Sequence, residues 1–148
     1  MQHISSDQII SDISLEEVLA QNKYTLLYFY PKNGTPGCTL EAQDFSKLAS
    51  EFQKYNVQIV WVSKDLPESH CKFIEKYQLS PSSISDPDLE LHKKFASWWE
   101  KNNYGKIVMG VIRSTFLLDS DENEINAWRS IRATWHADRV LKRVKENL

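Results

Sequence analysis

The feature that most constrains the fold is a short apolar segment followed, after a tight turn, by a long amphipathic stretch. Residues 25–30 are β-branched, aliphatic or aromatic throughout, and Pro31 closes the run, which is typical of a buried strand. Beyond the turn, apolar residues recur at three- and four-residue steps among charged ones, as on one face of a helix: Leu40, Phe45, Leu48, Ala49 and Phe52. The segment therefore predicts a strand, a turn and a helix in succession.

The turn places a cysteine at the start of the predicted helix. Thr35 fits the N-cap position, and Pro36 fits the first helical position, where a missing N–H costs nothing. Cys38 then falls in the first turn, where unpaired backbone N–H groups and the positive end of the helix dipole favour a thiolate. Gly34 and Gly37 indicate a tight turn rather than a core, so we expect a reactive cysteine and not an inert, packed one.

Composition and length indicate one domain without polyanionic partners. A chain of 148 residues suits a single core, so we expect one domain over residues 1–148. The net charge of −2, with no basic block, predicts neither nucleic-acid nor membrane-surface binding. No apolar run is long enough to span a bilayer, and the N-terminus lacks a targeting pattern. Because two cysteines do not make a disulfide scaffold, we expect a cytoplasmic location and a catalytic role for any disulfide.

Strands and helices alternate along the rest of the chain, which predicts a layered α/β sheet. The expected elements are a strand at 57–63, a helix from Pro67 to about Gln78, a polar turn rich in Ser and Pro, a helix from near Pro87 that carries Leu89, Leu91, Phe95, Trp98 and Trp99, a strand at 114–119, its hairpin partner at 125–131 and a closing helix at 137–146. The four histidines, His3, His70, His92 and His136, form no ligand pattern with the cysteines. We expect them at surface or capping positions, and no metal site.

Two blocks of the sequence carry a more specific pattern. The first has a Pro, three residues, a Thr, two residues and a Cys, at Pro31, Thr35 and Cys38, and the second runs over residues 104–116 and contains Arg113. In register with linking motifs over about residues 24–145, they resemble the peroxiredoxins, and within them the bacterioferritin-comigratory or Q-type branch. Two blocks in order are far more specific than a single motif match.

This resemblance implies a fold and an activity. The fold is thioredoxin-like, with a central mixed β-sheet flanked by helices. The activity is that of a thiol peroxidase, which reduces hydrogen peroxide and alkyl hydroperoxides without a bound cofactor. Members of this branch begin with a longer segment that includes a hairpin, before the element that residues 14–19 resemble. We therefore expect a reduced N-terminal extension, and the extra strands of that segment are in doubt.

The resemblance also implies roles for individual residues. Cys38 is the peroxidatic nucleophile, which becomes a sulfenic acid, and Thr35 directs its hydroxyl to the sulfur and the peroxide. Arg113 stabilises both the thiolate and the developing oxyanion, because a guanidinium stays charged and offers several donors. Pro31 shields the sulfur or simply ends the strand. Glu41 faces away from the sulfur and orients an arginine or a backbone donor, or else is a solvated surface charge.

The recycling step has two interpretations. Many relatives carry a resolving cysteine where this chain has Gln43, but others in the branch place it in the later helix, where Cys71 lies. A disulfide requires α-carbons within about 7 Å, so bridging Cys71 to Cys38 would require local unwinding, and thioredoxin or a similar dithiol protein would reduce the product. Alternatively, Cys71 packs in the core beside Ile74, and an external thiol such as glutathione or a glutaredoxin recycles the sulfenic acid.

Two other classes of protein are compatible with a thioredoxin-like fold. A non-catalytic module could bind a partner through Trp98, Trp99 and Tyr104, but it would not need Thr35, Cys38 and Arg113 together. A thiol–disulfide oxidoreductase is disfavoured, because two cysteines separated by two residues are absent. We expect the peroxidase, acting as a monomer.

Overall fold

The computed structural model describes residues 1–30, 36–103, 105–129 and 135–148. The strands in these ranges are β1 (Gln2–Ile4), β2 (Ile10–Asp12), β3 (Tyr24–Phe29), β4 (Val57–Ser63), β5 (Ser82–Ser85), β6 (Trp98–Asn103), β7 (Lys106–Val111), β8 (Ser114–Asp119) and β9 (Glu124–Trp128). The helices are α1 (Leu15–Leu19), α2 (Pro36–Gln53), α3 (Pro67–Tyr77), α4 (Glu90–Lys94) and α5 (His136–Asn147). None of the helices in the described ranges is both long and apolar enough to cross a bilayer.

A mixed sheet forms the centre of the molecule. Among the described residues, seven strands join in the order β2-β1-β5-β4-β3-β8-β9. The inner pairs β3·β4 and β4·β5 are parallel, whereas β8 lies antiparallel to β3 and β1 lies antiparallel to β5. The expected α/β architecture with a mixed, helix-flanked sheet is therefore confirmed.

Alternate residues of β3 supply two separate cores, because successive side chains of a strand point to opposite faces. Leu26 and Tyr28 belong to one apolar cluster, with residues of α2, α3 and α5. Leu27 and Phe29 belong to a second cluster, with residues of α1 and α4. Burial on both faces explains why this strand reads as a continuous apolar run.

Several predicted boundaries are confirmed. The first strand and the start of α2 at Pro36 agree with expectation to within one residue, and the strands at 57–63 and 114–119 agree at both ends. The hairpin partner β9 ends at Trp128, and residues 130–131 of its predicted range lie outside the described residues. The helices predicted at 67–78 and 137–146 are α3 and α5, each within one residue of expectation.

The helix predicted from Pro87 to the tryptophans is wrong. The helix α4 ends at Lys94, and Ala96 adopts a left-handed conformation with φ 56°, which stops a helix. Trp98 and Trp99 instead begin β6, which pairs with β7 in a separate two-stranded sheet.

Two further segments form strands that the sequence did not predict. The polar stretch after α3 contains β5, which pairs in parallel with β4 and antiparallel with β1. The N-terminal strands, which the resemblance left in doubt, are present as a hairpin of β1 and β2. Gln8, in the turn of this hairpin, adopts a left-handed φ of 65°. The hairpin extends the main sheet by two strands.

The expectation that the histidines lie at the surface or at caps is wrong for three of them. His70, His92 and His136 are 0%, 0% and 3% exposed. Each finds a polar partner in the interior: His70 bonds two serines, His92 bonds Asp86 and His136 bonds Thr115. Burial lowers the pKa of His70 and of His136 to about 4, so both rings are neutral near pH 7.

We expect Phe45→Ala to lower the free energy of unfolding by about 3–5 kcal/mol, because it removes a large side chain from the core. Phe45 is fully buried and stacks on Tyr28 with ring centroids 4.7 Å apart. Urea denaturation followed by circular dichroism measures the loss. The control is Leu40→Ala, on the same helix at a position 39% exposed, which we expect to cost less than about 1 kcal/mol. Equal losses in the two variants would contradict this description of the core.

Candidate active site

The sheet register brings the two predicted site residues together. Strand β3 ends at Phe29, and α2, which carries Cys38 in its first turn, begins at Pro36. In the antiparallel pair of β3 and β8, Phe29 lies opposite Ser114. Arg113 directly precedes Ser114, so its side chain starts from the end of the sheet where α2 begins.

Arg113 bridges the cysteine and a carboxyl group on the same helix. Its Nη2 donates a hydrogen bond to Cys38 Sγ at 3.2 Å, and its Nη1 donates to Glu41 Oε1 at 2.7 Å. Cys38 is 1% exposed, so the sulfur lies in a shielded environment. A charged donor in such an environment stabilises a thiolate more than a neutral thiol.

Gly37 leaves the space that this contact needs. A Cβ at this position would lie 3.3 Å from Arg113 Nη2, closer than most such contacts in proteins. The guanidinium can therefore approach the first turn of α2 because residue 37 has no side chain.

The charges of the buried pair are set by opposing effects. Burial raises the pKa of Glu41 to about 7, although the ion pair with Arg113 acts in the other direction. Burial lowers the pKa of Arg113, but Glu41 and Cys38 outweigh that effect and hold it above its usual value. The guanidinium therefore stays charged, while the carboxyl group changes its ionisation close to neutral pH.

A tyrosine hydroxyl lies in the same buried region. Tyr28 is 1% exposed, and neither its hydroxyl nor Glu41 Oε2 has a hydrogen-bond partner within the described part of the chain. Burial raises the pKa of Tyr28 well above its usual value, and the charges of Glu41 and Cys38 add to the effect. The phenol is therefore neutral near pH 7. The acidic groups that Arg113 contacts are the Cys38 thiol and the Glu41 carboxyl.

The structure distinguishes between the two interpretations of Glu41. Its side chain is 0% exposed and accepts a hydrogen bond from Arg113, so it orients an arginine, and the alternative of a solvated surface charge is wrong. The expectation that Glu41 faces away from the sulfur is also wrong, because the same guanidinium contacts Cys38. Pro31 and Thr35 lie outside the described residues.

Cys71 lies partly exposed on α3, at the border of the apolar cluster that contains Ile74. Its Sγ is 4.0 Å from the backbone carbonyl oxygen of Gln8, in the turn between β1 and β2. This thiol is therefore at the edge of the core and not in its interior.

The local sequence pattern does not reveal the polar residues around the site. Tyr30 belongs to an apolar run, yet its buried hydroxyl hydrogen-bonds Ser63. Ser63 at the end of β4, His70 of α3 and Ser83 of β5 continue this network. The tyrosine hydroxyls in an otherwise apolar strand are a sign that buried polar groups lie nearby. The sequence does not identify their partners, which come from distant segments.

The chain is similar to known proteins in both sequence and fold. The sequence profile of the AhpC/TSA family matches residues 3–125. The chain is 43% identical over 122 residues to Peroxiredoxin Bcp of Xanthomonas campestris, covering 82% of this chain and 76% of the relative. It is 40% identical over 126 residues to Peroxiredoxin Bcp of Bacillus subtilis, covering 85% and 80%.

A solved structure of the Xanthomonas campestris bacterioferritin comigratory protein is also similar. It is a trapped intermediate/ligand complex that gives insight into alkyl peroxide reduction by that protein. The TM-score is 0.86 at 37% sequence identity, and the match covers 99% of this chain and 90% of the other.

We expect Glu41→Gln to change how stability depends on pH. In the folded protein Glu41 keeps its proton up to about pH 7, whereas an ordinary glutamate releases it near 4.5. The folded state therefore binds more protons in this window, and wild-type stability falls as the pH rises through it. The free energy of unfolding of the glutamine variant, measured relative to wild type, should therefore rise by on the order of 2–3 kcal/mol from pH 5 to pH 8. Urea denaturation at each pH measures it.

The matched control is Glu51→Gln on the same helix. Glu51 pairs with Lys54, which lowers the pKa of its carboxyl group, so its proton is lost below this window in both states. The stability difference between this variant and wild type should stay flat from pH 5 to pH 8. A flat difference for Glu41→Gln as well would contradict the assignment of a raised pKa to Glu41.

Proposed function

Because the chain belongs to the AhpC/TSA family and is a thiol peroxidase, we propose that Cys38 is its peroxidatic cysteine. The observation that carries the proposal is the 3.2 Å contact between Arg113 Nη2 and Cys38 Sγ. An arginine 75 residues away is held against the sulfur by the register of β3 and β8. A non-catalytic binding module has no need of such a contact.

The reaction begins with attack of the Cys38 thiolate on the terminal oxygen of a hydroperoxide. An S–O bond forms, the O–O bond breaks, and the departing alkoxide or hydroxide takes a proton to leave as alcohol or water. Arg113 stabilises the thiolate before attack and the developing oxyanion during it, since its charge is already in place. Glu41 holds one arm of the guanidinium, so that the other arm faces the sulfur.

The proposed substrates are hydrogen peroxide and alkyl hydroperoxides. The similarity to the Xanthomonas campestris protein and its alkyl peroxide reduction supports the second class. Thr35 and Pro31 complete the proposed site on the strength of the motif they share with Cys38. The Thr35 hydroxyl would bond the sulfur and the peroxide, and Pro31 would shield the sulfur.

We further propose that Cys71 resolves the sulfenic acid as an intramolecular disulfide, which thioredoxin or a similar dithiol protein then reduces. The position of Cys71 at the edge of the core supports this, because a partly exposed thiol on a short helix is released at lower cost than an interior one. The alternative is a one-cysteine cycle with an external thiol such as glutathione or a glutaredoxin.

We also propose that residues 1–148 act as one domain, as a monomer, in the cytoplasm. One sheet joins strands from β1 to β9, and α5 belongs to the apolar cluster on one face of that sheet, which supports a single domain. Two cysteines that are both free in the structure suit a reducing compartment.

We expect Cys38→Ser to abolish peroxide consumption. Arg113→Gln should lower the second-order rate constant for peroxide by about 100-fold, the usual effect of losing one preorganised oxyanion donor. Arg113→Lys should lower the rate constant by a smaller factor, because the positive charge remains. It should not restore the wild-type value, since an ammonium cannot reproduce the two-armed geometry of a guanidinium. Stopped-flow fluorescence under single-turnover conditions measures these rate constants.

Arg143→Gln serves as the matched control, since Arg143 is exposed on α5 and pairs with Glu146. Its rate constant should equal that of wild type. A folded Arg113→Gln variant that reacts as fast as the Arg143→Gln variant would contradict the proposed role of Arg113. Retained turnover in Cys38→Ser would contradict the proposed nucleophile.

We expect one equivalent of peroxide to remove two hydrogens from the wild-type mass without forming a dimer. In Cys71→Ser the same treatment should add one oxygen, because the sulfenic acid has no internal partner. Intact-protein mass spectrometry after an acid quench distinguishes the products. A wild-type protein that instead gains an oxygen, or a glutathione adduct when glutathione is present, would exclude resolution by Cys71.

A further inference from the structure

A buried histidine fastens the first turns of α3 to the sheet. His70 is 0% exposed, and its Nε2 lies 2.9 Å from Ser63 Oγ, at the end of β4. Its Nδ1 lies 2.8 Å from Ser83 Oγ, on β5. The ring also stacks on Trp61 of β4, with centroids 4.5 Å apart and planes within 18°. Both ring nitrogens and one face of the ring therefore contact residues of the sheet.

The tautomer chemistry of the ring suits these two partners. Burial lowers the pKa of His70 to about 4, so the neutral ring has one N–H donor and one acceptor nitrogen. The Ser63 hydroxyl also donates to Asp65 Oδ2 at 3.3 Å, and the Asp65 backbone also hydrogen-bonds the ring. Both serine contacts are therefore satisfied together when Nε2 carries the ring proton and Nδ1 accepts from the Ser83 hydroxyl. The attachment is therefore present throughout the neutral pH range.

The same network extends toward the proposed peroxidatic cysteine. Ser63 hydrogen-bonds the hydroxyl of Tyr30. Burial raises the pKa of that hydroxyl well above its usual value, and the charge of a Cys38 thiolate adds to the effect. Ser63 Oγ also accepts from the backbone N–H of Asp65 at 3.2 Å. A continuous set of buried polar groups thus joins the surroundings of Cys38 to the helix that carries Cys71.

The residue after His70 is Cys71, and the two side chains have different surroundings. His70 is enclosed by β4 and β5, whereas Cys71 is partly exposed with its Sγ 4.0 Å from the Gln8 carbonyl oxygen. Cys71 lies against the turn between β1 and β2, whereas Cys38 follows β3, and β5 and β4 separate β1 from β3 in the sheet. In the proposed resolving step the backbone around residue 71 therefore leaves its helical conformation. Because His70 is the adjacent residue, its two serine contacts oppose that opening.

We propose that His70 is a positioning residue for the resolving step, and that its contacts with Ser63 and Ser83 set how often α3 opens to release Cys71. The inference rests on the proposed function, in which Cys71 is the resolving cysteine. In that step the Cys71 sulfur attacks the sulfenic sulfur of Cys38, an S–S bond forms and the S–O bond breaks. The hydroxide leaves with the thiol proton as water, so Cys71 is oxidised and the Cys38 sulfur is reduced. His70 bonds neither sulfur.

The test is the rate of disulfide formation in two variants that weaken the attachment. Ser83→Ala removes one contact. His70→Phe removes both serine contacts and the contact with the Asp65 backbone, but keeps a ring to stack on Trp61. A hydrogen bond contributes about 1 kcal/mol net, so we expect about fivefold faster disulfide formation in Ser83→Ala and tenfold or more in His70→Phe. His70→Gln, which can bond one serine, should fall between wild type and His70→Phe.

Two other readouts separate this role from general damage. The rate constant for reaction with peroxide should stay at the wild-type value in each variant, since the contacts of Arg113 with Cys38 are unchanged. The fraction of Cys38 that excess peroxide drives to sulfinic acid should fall by about the same factor as resolution accelerates, because the two reactions compete for the sulfenic acid. Rapid quench and mass spectrometry follow the sulfenic acid, the disulfide and the sulfinic acid.

Ser80→Ala is the matched control. Ser80 lies beyond the other end of α3, and its hydroxyl and N–H bond Ser46 of α2. We expect disulfide formation in this variant at the wild-type rate. If Ser80→Ala accelerated it as much as Ser83→Ala does, the effect would be nonspecific and the proposal would be overturned.

Each remaining outcome is decisive. If wild type forms the disulfide but Ser83→Ala and His70→Phe do so no faster, the role of His70 is wrong and resolution by Cys71 stands. If wild type forms no disulfide, resolution by Cys71 is wrong and the role of His70 fails with it. Should His70→Phe not fold, Ser83→Ala alone decides.

Discussion

The proposed site depends on one guanidinium that holds two acidic side chains of the same helix. Cys38 and Glu41 are three residues apart on α2, so they lie on one face, and Arg113 donates to both. The arginine reaches that face because β8 begins where β3 ends. The contact that organises the chemistry therefore also fixes the start of α2 against the sheet. Activity and local stability share one interaction, and its buried carboxyl group responds to pH near neutrality.

The core beneath α2 and α3 contains buried hydroxyl and imidazole groups among its apolar side chains. Burying hydroxyl and imidazole groups costs free energy unless each finds a partner. Tyr30, Ser63, His70 and Ser83 satisfy one another, whereas the Tyr28 hydroxyl has no partner among the described residues. The satisfied part of this network specifies how α3 lies on the sheet. The unsatisfied part is beside Cys38, at the site where the reaction is proposed to occur.

The sequence was sufficient for elements whose pattern is local. The apolar run before Pro31 and the helical spacing after it located β3 and α2, and the motif blocks suggested that Arg113 would meet Cys38. Segments that depend on tertiary contacts were missed. The strand β5 is short and rich in serine, and it forms because β4 and β1 flank it. The burial of His70 was not predicted because its partners, Ser63 and Ser83, lie 7 and 13 residues away on separate strands, and no local pattern reveals them.

The hairpin of β6 and β7 is joined to the site at its base. The Ser97 carbonyl accepts from the Ile112 N–H at 2.7 Å, and the Ser97 and Ser114 hydroxyls lie 2.8 Å apart, on either side of Arg113. Farther out, Ile107 and Val108 are 72% and 42% exposed. For protein engineering the hairpin thus has two zones: the base tolerates little redesign, while the outer positions accept polar replacements that improve solubility.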